Sequence, residues 1–322
     1  MPLQITIIGL GRIGASIGLA LRQRAPGQFT VIGHDRVPEA SKRAQAAGAV
    51  DKVEWNLPNA IEHAAIIVLS VPLSALRQTM IDIAPTAPAG CVVTDTAPLK
   101  TPASEWAREL LPATVHYVGG SPILNPAYLH DAGDTPRADL FAGGLWALIS
   151  NAATGESALT AVGGLARRVG AEPFYIEPGE FDELMAGVST VPTLLAAALM
   201  RAVGNAEGWK DGRKLADRAF ATGTAPIGVV RPDAARAAAL SNSANTLRPL
   251  DAVLAQLQSF RKAVAEGDAA SLEAALAEAV LLRDEWLTQR SVGNWAAEES
   301  PKVDMPSAGQ LMRQMIGLGG KK

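Results

Sequence analysis

Apolar residues follow two rhythms along this chain. In the first half, short runs of branched aliphatic residues recur, and between them come segments with the three-to-four-residue apolar spacing of a helix. The runs over 5–8, 29–33, 66–70, 91–94, 116–118, 145–149 and 173–176 predict buried strands, and the spacing over 15–21, 39–47, 73–83 and 158–169 predicts helices. Gly48, Pro85 with Pro88, and Gly170 stand where three of these helices should stop. Strands alternating with helices predict a doubly wound, mostly parallel sheet covered on both faces. From Phe181 onward the second rhythm takes over. Alanine- and leucine-rich helical spacing runs over 181–203, 210–220, 233–265 and 271–290, with few strand candidates. Pro178-Gly179 marks the boundary, giving an α/β domain over 1–177 and an all-helical domain over 178–322, with a tail from about 291 that carries Trp295, Pro301 and Pro306.

Composition narrows the class. The 322 residues suffice for two cores, and a formal net charge of −3 with 19% charged residues argues against a nucleic-acid partner. The single cysteine, Cys91, excludes an internal disulfide framework and reads as a buried, inert thiol. The apolar opening is broken by glycines and Arg12 and has no basic leader, so neither a signal peptide nor a membrane span is expected, and a cytoplasmic enzyme is the natural class. Several second-half helices are too apolar for a solvent-facing layer, which predicts a homodimer formed through them.

The first strand runs straight into Gly9-Leu10-Gly11-Arg12-Ile13-Gly14 and then a helix. This is the strand, phosphate loop and helix of a Rossmann dinucleotide fold. Gly9 turns the chain out of the strand, Gly11 lets backbone N–H groups approach a pyrophosphate, and Gly14 lets the helix pack on the sheet. The second strand ends at His34-Asp35-Arg36, where Asp35 can accept hydrogen bonds from an adenosine ribose. A guanidinium at Arg36 leaves NADP open, but Asp35 favours NAD. Ligands of such sheets lie at the carboxyl ends of the strands. Ser70-Val71-Pro72 and Asp95 therefore join Gly9, Gly11, Arg12, Ile13, Gly14, Asp35 and Arg36 as expected cofactor contacts, and the residues after Val118 become site candidates. The irregular segment 123–138 reads as a loop over the cleft.

The order of these motifs resembles the prephenate and arogenate dehydrogenase family of tyrosine biosynthesis. The likeness is carried by the glycine loop, His34-Asp35-Arg36, Ser70-Val71-Pro72-Leu73, Thr94-Asp95 through Lys100, Val118-Gly119-Gly120 with Pro122, and Val188-Ser189 with Pro192. It implies nicotinamide-dependent oxidative decarboxylation of a cyclohexadienyl substrate. A histidine takes the hydroxyl proton as hydride leaves, and cations hold the carboxylates.

The departures fall at the catalytic positions. Ser121 stands where the family has histidine, and a serine hydroxyl is a poor base near neutral pH. Thr190 and Thr193 replace the two histidines of a Ser-His-Leu-Pro-His stretch, Pro98 replaces a serine, and the expected substrate arginine falls near Pro226. An intact cofactor half with this rewritten set points to hydride transfer on a small anionic substrate that differs from prephenate. Authentic prephenate or arogenate dehydrogenation with unfamiliar residues, and a dinucleotide-binding regulator without chemistry, are the alternatives. The catalytic candidates are Ser121, Thr190, Lys100 and His130, with Asn125 and Thr193 against the substrate. Each has a bland counterpart: Ser121 satisfying a turn, Ser189 or Thr190 capping a helix with Pro192 in its first turn, and Lys100 in solvent. Asp182 and Glu183 are weaker candidates that also suit a helix dipole. Of His34, His63, His116 and His130, only His130, in the loop, suits an acid or base, and no spacing suggests a metal site.

Overall fold

The computed structural model describes residues 2–131, 133–150 and 154–293. β1 (Leu3–Ile8), β2 (Phe29–His34), β3 (Lys52–Val53), β4 (Ala64–Leu69), β5 (Val92–Asp95), β6 (His116–Pro122), β7 (Leu145–Ile149) and β8 (Glu172–Ile176) form one sheet in the order β3-β2-β1-β4-β5-β6-β7-β8. All neighbours are parallel except β6 and β7, which run antiparallel. The strand order reverses between β1 and β4, and the crevice that opens there at the carboxyl ends is where a ligand of such a sheet lies.

The helices of this half are α1 (Arg12–Arg24), α2 (Pro38–Ala46), α3 (Leu57–Ile61), α4 (Leu73–Ile83), α5 (Thr101–Leu110) and α6 (Glu156–Arg168). They cover both faces. One core gathers Ile5, Ile7, Ile17, Val31, Phe141, Trp146 and Leu165. The other gathers Ile67, Leu69, Leu76, Met80, Val93 and Leu99. Parallel strands buried on both sides explain why these runs are continuously apolar rather than alternating.

Three elements in this half were not expected. β3 is only two residues long and α3 only five, and α5 buries just Ala103 and Ala107 on its inner face while Glu105, Arg108 and Glu109 lie outside. Gly119-Gly120-Ser121-Pro122, expected as a turn, is the end of β6, because Gly119 to Pro122 pair with Ile149 to Trp146 of β7.

The second half consists of α7 (Pro178–Met185), a wide turn of π-helix (Ala186–Thr190), α8 (Val191–Gly204), α9 (Trp209–Leu215), α10 (Arg218–Val229), α11 (Pro232–Ser241), α12 (Ser243–Glu266) and α13 (Ala269–Val292). The expected helices over 210–220 and 233–265 are each broken once, before Arg218 and at Asn242. Helix continues through Ser189 and Thr190, so neither caps a helix start. Thr193 instead donates its hydroxyl back to the Ser189 carbonyl at 3.0 Å. The continuous helical stretch 178–204 is long and apolar enough to cross a membrane. α13 runs through Ser291 to Val292, and Trp295, Pro301 and Pro306 of the expected tail lie outside the described residues.

Candidate functional site

The glycine loop is built by close approach. Gly9 adopts a φ of +95°, and a Cβ there would stand 2.2 Å from the Ser70 carbonyl oxygen. A Cβ on Gly14 would stand 2.0 Å from the Gly9 carbonyl oxygen. Both glycines are therefore demanded by the protein itself. Gly11 is different: a Cβ there meets nothing within 4 Å, and the residue is exposed at the start of α1. The chain keeps open space at a helix N-terminus, where free N–H groups and the helix dipole attract an anion. That space fits a dinucleotide pyrophosphate.

The other expected cofactor residues surround this point. Asp35 Oδ2 accepts the Leu10 N–H at 2.7 Å, and Oδ1 accepts the Val37 N–H at 2.8 Å, so the carboxylate is locked beside the loop with lone pairs to spare. Arg36 is exposed next to it. Ser70 packs against Gly9 and Gly14 and accepts a hydrogen bond from Thr96 Oγ1 at 3.3 Å, with Val71 and Pro72 leading into α4. Ile13 is half-buried at the first turn of α1 and packs on the core beneath. Arg12 turns towards the loop after β6, where its guanidinium pairs with Asp131 at 2.9 Å. In the same loop the Arg137 N–H donates to Ser16 of α1 at 2.9 Å, so the segment is strapped along the phosphate-binding helix.

Asp95 and Lys100 do not line the cleft. Both are 0% exposed, and the Lys100 ammonium donates to Asp95 Oδ1 and to the Gly120 carbonyl, each at 2.6 Å. Tyr117 donates its hydroxyl to Asp95 Oδ2 at 2.6 Å, and the Ala97 N–H donates to Oδ1 at 2.7 Å. With every strong contact spent inside the protein, the expectations of a cofactor contact at Asp95 and a substrate anchor at Lys100 are corrected by burial. Burial pushes the Lys100 amine below the ordinary lysine range while Asp95 opposes the shift, and burial holds the Tyr117 phenol far above its usual range, reinforced by the Asp95 charge.

Asp182 belongs to the same buried group. From α7 it accepts the Lys100 N–H at 2.6 Å and the Thr101 N–H at 2.8 Å, and so caps α5, whose own N-cap residue offers no side-chain cap. Asn242 donates to the Asp182 carbonyl at 2.7 Å. A helix end in one half is thus closed by a carboxylate of the other. Glu183 lies outside this group and pairs at the surface with Arg248.

The remaining candidates are dispersed. Ser121 is buried at the end of β6, and Thr190 is buried in the wide turn after α7. Asn125 is used within its loop: Oδ1 accepts the Ala127 N–H at 3.0 Å, and Nδ2 donates to the Asp139 carbonyl at 3.2 Å. His130 is exposed in a shallow groove with Pro126, Leu129 and, from α13, Leu287, Thr288 and Ser291. It faces the helical half, so its expected role as acid or base over the nucleotide crevice has no geometric support. His34 bonds the Glu54 carbonyl at 2.9 Å, while His63 and His116 are exposed. Tyr117, Asn242 and Arg290 were not expected in any polar group. Arg290, near the end of α13, is buried and donates to the Leu124 carbonyl at 2.7 Å. Among the described residues no cluster suited to a metal ion occurs.

Comparison with known proteins gives the family. Residues 17–175 match the family model for the prephenate dehydrogenase nucleotide-binding domain, and residues 177–278 match that for the prephenate dehydrogenase dimerization domain. The prephenate dehydrogenase of Lactococcus lactis is 33% identical over 202 residues, covering 61% of this chain and 53% of that enzyme. That of Bacillus subtilis is 26% identical over 208 residues, covering 63% and 54%. The match thus spans about half the length of these two relatives. The crystal structure of prephenate dehydrogenase from A. aeolicus, in complex with hydroxyphenyl propionate and NAD+, superposes with a TM-score of 0.77 at 21% identity, covering 88% of this chain and 98% of that one. A glycine loop with reserved space, an aspartate locked beside it, and two successive domain matches in the same order place this chain in the prephenate dehydrogenase family.

Proposed function

We propose that the protein is an NAD-dependent oxidoreductase of the prephenate dehydrogenase type, acting on a small anionic hydroxy substrate other than prephenate or arogenate, as a cytoplasmic homodimer. The observation that carries the proposal is the unfilled space at Gly11, framed by two glycines that close contacts require. The first N–H groups of α1 would hold the pyrophosphate, and the two oxygens of Asp35 would accept the adenosine ribose hydroxyls. When bound, the nicotinamide supplies the hydride acceptor. Asp35 in the ribose position favours NAD over NADP, because a second carboxylate-facing anion at the 2′ position would be repelled. The NAD+ in the A. aeolicus enzyme supports the same choice.

The substrate reading rests on Ser121. It occupies the strand end where the family resemblance calls for histidine, and a hydroxyl there can orient a substrate oxygen but cannot store its proton at neutral pH. A substrate with a less demanding proton transfer suits this site. The experiment is calorimetric titration with NAD and NADP, followed by a panel of small hydroxy carboxylates, prephenate and arogenate included, read by the absorbance of reduced cofactor. Tighter binding of NAD, lost on Asp35→Ala more than the binding of NADP, is expected. Absence of binding by either nucleotide overturns the proposal.

The homodimer is supported by the dimerization-domain match and by exposed apolar residues on α8 to α13, including Leu199, Leu215, Leu247, Val280, Leu281 and Trp286. A partner subunit also accounts for the apolar outer face of helix 178–204 without a membrane.

A further inference from the structure

We infer that Lys100 is a positioning residue that clamps the end of β6 and thereby sets Ser121 against the nucleotide crevice. This rests on the hydride-transfer reading above. Backbone pairing between β5 and β6 stops at Thr94 and Val118. Just beyond, the strands are joined by the Lys100 ammonium, which bridges Asp95 Oδ1 on one strand and the Gly120 carbonyl on the other, 2.6 Å from each. On its other edge the same segment is laddered to β7, with Gly120 opposite Leu148 and Ser121 opposite Ala147. The strand end is therefore gripped from both sides, and the grip on the crevice side is a single side chain.

The sequence lets the strand end pack closely at this point. A Cβ on Gly119 would stand 3.0 Å from Ile149 Cβ and 3.4 Å from Lys100 Cδ. A Cβ on Gly120 would stand 2.6 Å from Trp146 Nε1, 2.8 Å from Thr94 Oγ1 and 2.9 Å from the Asp95 carbonyl oxygen. Gly120 lets the strand close on Thr94 and the Asp95 carbonyl of β5 and on Trp146 of β7, while Gly119 keeps it clear of Ile149 and in ordinary contact with the lysine stem. Asp182 adds a second constraint, because it accepts the backbone N–H groups of Lys100 and Thr101 and so fixes where the lysine leaves the chain. Ser121 is thus referenced to both halves of the protein through one residue.

A merely structural role would confine the amine to neutralising Asp95, and the variants separate the two. Lys100→Met alone leaves a buried carboxylate without its partner and is prone to unfold. The double variant Asp95→Asn/Lys100→Met removes the charge and the clamp together. In the NAD-bound protein the double variant is expected to fold and to bind NAD within about threefold of wild type, with amide exchange over 118–122 faster by about tenfold. Its kcat on the substrate found with the panel should fall by about 100-fold with KM for NAD unchanged. Tyr117→Phe removes another bond to Asp95 but leaves the bridge, and its exchange and kcat should stay within about threefold of wild type. Exchange over 118–122 unchanged in the double variant, or equally raised by Tyr117→Phe, overturns the clamp. Faster exchange in the double variant, with no cofactor reduction by wild type on any substrate of the panel, upholds the clamp and overturns the hydride-transfer reading.

Discussion

The two halves of this chain bury their apolar residues to very different degrees. In the nucleotide half Ile5, Ile7, Ile67, Leu69, Leu76 and Met80 have no more than 1% of their surface exposed. In the helical half α9, α10 and α11 contain no buried residue, and the 24-residue helices α12 and α13 contain only Thr246, Ala263 and Arg290. Leu281 is 70% exposed and Leu215 82%. The first half satisfies its own hydrophobic pattern, while the second carries a pattern that one copy leaves unsatisfied. A helix that is apolar on all sides needs neighbours on all sides. The difference separates a half that is closed on its own from a half that presents the surface of the homodimer proposed above.

Breaking the helical half should have the largest effect. Val280→Glu with Leu281→Glu on α13 places two charges in the proposed subunit contact, and the dimer dissociation constant should rise by about 100-fold or more by sedimentation velocity. An unchanged dimer would assign the exposed helices another purpose. Within the nucleotide half, the glycines offer a sharper contrast. Gly14→Val should fail to fold, because its Cβ falls 2.0 Å from a carbonyl oxygen. Gly11→Val should fold with a melting temperature near wild type while losing NAD affinity by about 100-fold, since its side chain fills space kept for the ligand.

The joint between the halves comes next. Asp182→Asn keeps the shape, but its amide NH2 cannot accept, so one of the two charge-assisted bonds to the start of α5 is lost and the other weakened, and a loss of about 2 kcal/mol is expected by denaturant titration. No change in stability would mean that the cap does not hold the halves together. The smallest effect concerns Cys91, whose thiol burial raises from about 9 to about 11. A raised folded-state value contributes stability that is fully present below about pH 9 and is lost as the pH climbs through about 11. Native protein at pH 8 should therefore resist alkylation at Cys91, and rapid labelling there would contradict its burial.

How far the sequence could be read follows the same division. Strand and helix periodicity marked most of the nucleotide half, because continuous apolar runs between glycine and proline stops leave little choice of structure. The cofactor loop was legible for a further reason: Gly14 answers to the backbone of Gly9 within the same short loop, and Gly9 to the backbone at Ser70, whatever the side chains there. Polar residues were harder. Lys100 and Asp95 are charged and sit at a strand end, so residue type and position both suggested a ligand contact, whereas their true partners are Gly120 and Tyr117, far along the chain. Burial is a property of three dimensions, and no local pattern separates a charge facing a cleft from one sealed beneath it. Asp182 sits near the start of α7, where a helix dipole explained it equally well, and its service to α5 depends on how the halves dock. The glycines at 119 and 120 read as a turn, since the sequence shows neither the isoleucine nor the tryptophan of β7 that packs against them.

The measurement that bears most directly on the account is reduction of NAD by the purified wild-type protein with prephenate and, separately, with arogenate, alongside calorimetric NAD binding in the same preparation. The intact loop and the serine at 121 together predict clear NAD binding with no reduced cofactor from either substrate. Sustained turnover of prephenate or arogenate would contradict the account, and would show that the family reaction proceeds at this strand end with a hydroxyl in place of an imidazole.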